Sequence, residues 1–71
     1  MTKSSNVYNQ IGKNIANFRQ KKDFTQEKLA LSAGLNRAYI GYIERGERKP
    51  TVTTLVKIAK TLDIKIHQLF T

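Results

Sequence analysis

Apolar residues fall at Tyr8, Ile11, Ile15 and Phe18, a 3-4-3 spacing that draws one stripe along a helix. Residues 1–8 are polar and unpatterned and read as a flexible N-terminal arm, which leaves 9–71 as a single domain. The first helix should stop near Lys21-Lys22-Asp23, where two cations suit the negative end of a helix dipole. Thr25 then reads as an N-cap, and Phe24 before it and Leu29 after it form a hydrophobic staple. The reciprocal capping box is missing, because Lys28 stands where Glu or Gln is wanted. Leu29, Ala30 and Ala33 make a small apolar face for this second helix, and Gly34 can adopt the positive φ that ends it. The same grammar repeats at once in Leu35, Asn36 and Ile40, so a third helix starts at Asn36 with Ile40, Ile43 and Glu44 on its inner side and stops at Gly46. Two capped helices joined by a short Gly-containing turn are the sequence form of a helix-turn-helix, here about 25–45. Pro50-Thr51 opens a fourth helix lined by Leu55, Ile58, Ala59 and Leu62. Ile66, Leu69 and Phe70 suggest a short fifth, although Asp63 and Lys65 stand where a stop glycine and a capping Ser or Thr are expected. The pattern predicts five helices and no strand.

Composition narrows what such a domain can do. With 71 residues the chain builds one small core. It has no cysteine and one histidine, His67, so neither a disulfide framework nor a zinc sphere is available and no cofactor or metal is expected. No stretch approaches a membrane span and the opening residues lack the apolar core of a signal peptide, so the expected location is the cytoplasm. Thirteen Lys and Arg against five Asp and Glu give a net charge of +8, which makes polyanions the natural partners. No carboxylate pair, no nucleophile with its base and no Gly-rich phosphate loop is present, so an enzyme is not expected.

The charge acquires a direction on the third helix. With Ile40, Ile43 and Glu44 inward, a rotation of 100° per residue puts Ala38, Tyr42 and Arg45 outward, with Arg37, Tyr39 and Gly41 on the flanks. That face suits the major groove of double-stranded DNA, where Arg can hold guanine bidentately and a methyl can touch thymine. Arg37, in the first turn, is the leading candidate for a base contact. Gly41 costs about 1 kcal/mol relative to Ala in mid-helix; it reads either as clearance for DNA or as tolerated drift. Glu44 faces the core and needs a partner, for which Arg19 is the obvious choice; that pair is structural.

Residues 11–70 resemble the Cro/C1-type helix-turn-helix family of bacterial and phage transcription regulators, on the strength of Ile11-Gly12, Phe18-Arg19, Thr25-Gln26-x-x-Leu29-Ala30, Ala33-Gly34-Leu35, Ile40-x-x-Ile43-Glu44-x-Gly46, Pro50, Leu55-x-x-Ile58-Ala59-x-x-Leu62 and Leu69. Within it, Asn36-Arg37-Ala38-Tyr39-Ile40 followed by Ile43-Glu44-Arg45-Gly46 is most similar to controller proteins of restriction-modification systems. The resemblance implies an all-α, lambda-repressor-like fold. It also implies base contacts from Asn36, Ala38 and Tyr42 beside Arg37, and backbone contacts from Thr25, Gln26, Tyr39, Arg45, Arg48 and Lys49. It implies a homodimer through the C-terminal region, with Ile64, Ile66 and Phe70 at the interface, on a pseudo-palindromic operator near the protein's own promoter. A controller would fill adjacent operator sites as two dimers, activating at low occupancy and repressing itself at high occupancy. The chain's end at Thr71 leaves no room for an effector domain, so no small-molecule ligand is expected. Two other readings stand beside this one: a phage- or plasmid-type repressor, and an antitoxin-like module that binds a protein.

Overall fold

Three of the four α-helices begin on a side-chain oxygen that takes up a free backbone N–H, the local event that fixes where each one starts. In the computed structural model, which describes residues 4–71 and side chains from Val7 onward, the helices are α1 (Ser4–Lys21), α2 (Gln26–Ala33), α3 (Arg37–Glu44) and α4 (Val52–Leu62). A 3-10 turn, Ile66–Phe70, follows. Thr25 Oγ1 accepts from the Lys28 N–H at 3.0 Å. Asn36 Oδ1 accepts from Ala38 at 2.7 Å and Tyr39 at 3.4 Å, and Thr51 Oγ1 accepts from Thr54 at 3.2 Å. Gly34, at φ 71°, closes α2 in the left-handed conformation.

The architecture differs from the expectation at both ends. Helix α1 begins at Ser4, so 4–8 belong to it rather than to an arm; residues 1–3 of that arm lie outside the described residues. Once Ile11 and Ile15 are packed, adding an N-terminal turn fixes few new dihedrals per hydrogen bond gained, and no apolar residue is needed to extend the helix. The fifth helix is a five-residue 3-10 turn, which makes four α-helices rather than five. Asp63 takes the left-handed conformation that ends α4, with φ 58°, a conformation Asp tolerates better than most residues. The Lys65 N–H is satisfied by Gln68 Oε1 at 2.9 Å. No strand occurs among the described residues.

The helices converge on one core of Ile11, Ile15, Leu29, Ala30, Ile40, Ile43, Leu55, Ile58, Ala59, Leu62 and Leu69, with Tyr8, Phe18, Phe24, Leu35, Tyr39, Ile64 and Ile66 packed on its margin. Two polar or backbone devices fix how α1 sits on the rest. A β-carbon at Gly12 would overlap the carbonyl oxygens of Ile43 and Glu44, so the missing side chain lets α1 lie directly on the last turn of α3. At the other edge Asn14 Nδ2 donates to the Leu69 carbonyl at 2.9 Å, tying α1 to the 3-10 turn. No described helix is long and apolar enough to cross a membrane.

Candidate nucleic-acid interface

The turn between α2 and α3 is three residues long, and its geometry places α3 across the end of α2. The Leu35 N–H donates to the Ala30 carbonyl at 2.8 Å, and Asn36 begins the next helix immediately. Helix α3 buries Ile40, Gly41 and Ile43. Arg37, Ala38, Tyr42 and Arg45 are exposed on its other side. An amphipathic helix with this inner stripe can face solvent only through those positions.

One polar network sets the orientation of α3. Arg19 Nε donates to Glu44 Oε2 at 2.7 Å and Arg19 Nη2 to Glu44 Oε1 at 3.1 Å, while Arg19 Nη1 donates to the Phe24 carbonyl at 2.8 Å. The two side chains are only 12% and 6% exposed, so this is a desolvated bidentate pair with fixed direction. Gln26 Nε2 adds a third bond to Glu44, at 2.9 Å to Oε1. The carboxylate thus joins α1, α2 and α3, and Arg19 extends the network to the turn before α2. The part played by Gln26 here is one that sequence reasoning missed: the amide is anchored from behind by Glu44, so it meets a ligand in a set orientation.

Gly41 also differs from its expected place. It is buried rather than on the flank of the outer face, because the Gln26 amide and the Arg45 guanidinium close over it. A β-carbon there would lie 3.3 Å from Arg45 Nη1 and 3.7 Å from Gln26 Oε1. Neither reading of this glycine anticipated a contact between α3 and α2. Only a three-dimensional neighbour could reveal it, as is true of Gly12.

The remaining named residues fall into two groups. Asn36 is exposed, but its Oδ1 is used as the cap, which leaves the Nδ2 amide as the group free to donate. Thr25 likewise spends one lone pair on its cap and keeps the hydroxyl hydrogen for donation. The Tyr39 ring is half-buried on the core margin. Beyond α3 the cations gather around an aromatic ring: the guanidinium carbons of Arg45 and Arg48 lie 5.2 and 5.1 Å from the Tyr42 ring centre. Lys49 Nζ lies 5.8 Å from the Tyr8 ring on α1. Rings hold such cations weakly but with direction. Between Arg37 and Lys49 the acids are the buried Glu44 and the exposed Glu47. The surface is therefore a cationic ridge with a few hydrogen-bond donors, centred on the first turn of α3 and its C-terminal loop.

Fold and face together define a helix-turn-helix transcription regulator, a protein that binds DNA. The sequence profile described as helix-turn-helix matches residues 15–69, and the chain belongs to that family. It is 39% identical over 61 residues to control protein C.SmaI of Serratia marcescens, covering 86% of this chain and 73% of that one. Among solved structures it is similar to the restriction-modification controller protein C.AhdI of Aeromonas hydrophila, with 36% identity and a TM-score of 0.87 over 89% of this chain and 96% of the other. It is also similar to SinR, the master regulator for biofilm formation solved in complex with DNA, at 32% identity and a TM-score of 0.82 over 86% and 98% of the two chains.

Proposed function

We propose that this protein is the autoregulatory controller of a restriction-modification system, binding a pseudo-palindromic operator as a homodimer. The observation that carries the reading is the division of α3. Its inner face is locked by the Arg19–Glu44–Gln26 network, and its outer face presents Arg37, Ala38 and Tyr42 to solvent. A rigidly held helix with a guanidinium in its first turn and no acid on its outer face is built to enter a major groove. The similarity to C.SmaI and C.AhdI, over most of both chains, supports the controller role in particular.

In this reading Arg37 takes guanine O6 and N7, and Asn36, Ala38 and Tyr42 touch neighbouring base edges. Thr25, Gln26, Tyr39, Arg45, Arg48 and Lys49 hold phosphates, which set register without carrying sequence. The binding unit is the single domain that begins with α1 rather than at residue 9, and the protein works on the nucleoid. The dimer surface centres on Phe70, which is 52% exposed and lines a shallow apolar groove with Val7, Gln10 and Ile11. Ile64 and Ile66 pack in part against the core of their own chain and offer only their edges. A two-fold pair would set the recognition helices one DNA turn apart, about 34 Å.

Selection of binding sites from random duplex DNA tests this directly, and the expected product is a palindrome with half-sites about one turn apart. On that operator Arg37→Ala loses about 1 to 3 kcal/mol and relaxes the preference at one base pair per half-site. Lys49→Ala weakens all sequences alike and lowers the salt slope by about one unit. Recovery of no consensus, or an Arg37→Ala variant that keeps its specificity, overturns the assignment.

A further inference from the structure

The acid left in the cationic ridge is held against one of its arginines. Gly46, at φ 76°, ends α3 and turns the chain back. The Glu47 N–H donates to the Tyr42 carbonyl at 2.8 Å, which sets Glu47 beside the last turn of the helix. There Glu47 Oε1 accepts from Arg45 Nε at 3.1 Å, with the two side chains 55% and 53% exposed. The same guanidinium also lies over the Tyr42 ring. Arg45 is thus engaged by both an aromatic face and an anionic oxygen, on the surface proposed to meet DNA.

A carboxylate oxygen on Nε uses a donor that a phosphate oxygen would use, with the same sign of charge. Water screens an exposed pair of this kind and makes it cheap to exchange. We propose that Glu47 is an internal phosphate surrogate: it occupies Arg45 in the free protein and is exchanged for a DNA phosphate on binding. It therefore sets how tightly and with what salt dependence the protein holds DNA of any sequence. The exchange is close to balanced. Breaking the Arg45–Glu47 pair offsets part of what the phosphate contributes, and the released carboxylate then lies close to the negative backbone. This inference rests on the DNA-binding surface proposed above.

The experiment is fluorescence anisotropy with a random-sequence duplex over a salt series of about 50 to 200 mM, using the full chain. Glu47 is exposed and Gln keeps its backbone bonds, so the Glu47→Gln variant retains the fold. It is expected to bind about fivefold tighter at the low-salt end, with a salt slope steeper by up to about 0.9. In an Arg45→Ala background the gain should shrink to the small part that relief of repulsion between the carboxylate and the DNA backbone supplies. Asp63→Asn, at the far end of α4, changes the net charge equally and is expected to leave affinity nearly unchanged. An absent gain, an equal gain without Arg45, or an equal gain from Asp63→Asn overturns the surrogate. Failure of the parent protein itself to bind DNA with salt dependence would instead remove the DNA-binding surface, and the surrogate with it.

Discussion

In the half of the molecule built from α1, α2 and α3, orientation is set by directional contacts: the Arg19–Glu44–Gln26 network and the approach of the Gly12 backbone to the end of α3. In the other half, α4 and the 3-10 turn are held mainly by apolar packing of Leu55, Ile58, Ala59, Leu62 and Leu69, and apolar surface is left over at Phe70. Apolar packing is strong but non-directional, and it tolerates small rotations. A recognition helix does not, because base readout depends on hydrogen bonds whose donors must reach the groove within a few tenths of an ångström. The protein places its desolvated Arg19–Glu44 pair where angle matters; in the other half Thr54 serves its own helix start and Asn14 ties down the 3-10 turn, and packing does the rest.

Arg19→Ala should give the largest effect. It strands the Glu44 carboxylate, which is 6% exposed, and the predicted loss is about 3 kcal/mol. In a domain of this size that lowers the melting temperature by about 15 °C, measurable by circular dichroism. Replacing both partners, Arg19→Met with Glu44→Leu, should restore much of the stability. It should not restore operator affinity, since Gln26 and α3 lose their common anchor. Full recovery of binding in the double variant would mean that packing alone orients the helix, and the comparison between the halves would fail.

Gly12→Ala comes next and separates geometry from propensity. In mid-helix the substitution gains about 1 kcal/mol of intrinsic helix stability. Here the new methyl meets backbone carbonyls of α3 that cannot swing aside, so overpacking of about 3 kcal/mol outweighs the gain. The expected net loss is about 2 kcal/mol in a denaturant titration. A stabilised variant would show that α1 does not need to approach α3 so closely.

The packed half should respond differently. Phe70→Glu is predicted to leave the unfolding of the single chain nearly unchanged, because the side chain is half exposed already. Self-association read by sedimentation equilibrium should weaken about tenfold, or about 1.4 kcal/mol. An unchanged dimer would move the interface away from the Val7–Phe70 groove.

The parts legible in the sequence were those that local chemistry determines. Thr25, Asn36 and Thr51 announce helix starts because their side chains can cap without help from elsewhere in the fold. The inner and outer faces of α3 followed from period, except at Gly41, which is buried. Boundaries set by the backbone rather than by a capping side chain were harder: Asp63 in the left-handed conformation and Lys65 at the start of the 3-10 turn carry weak local signals. The beginning of α1 at Ser4 was hidden because helix extension needs no apolar residue. The anchoring of Gln26 by Glu44 and the contacts of Gly12 and Gly41 were illegible for a different reason. Each depends on which atom of a distant helix lies opposite.

Gly41→Ala has the smallest expected effect, and it sharpens the comparison because stability and function should move in opposite directions. The site is buried, and the nearest atom to the added carbon is the tip of Arg45, 3.3 Å away. That tip belongs to a flexible side chain that is 55% exposed, so unlike the carbonyls at Gly12 it can move. The helix gains roughly 1 kcal/mol in propensity and loses part of it in displacing the guanidinium from Tyr42. A net gain of about 0.5 kcal/mol is therefore predicted by thermal melting. Operator affinity should fall about threefold, because Arg45 leaves the ring that positions it. A variant both more stable and equally tight would show that Arg45 needs no positioning, and that the directional half of the molecule ends at Glu44.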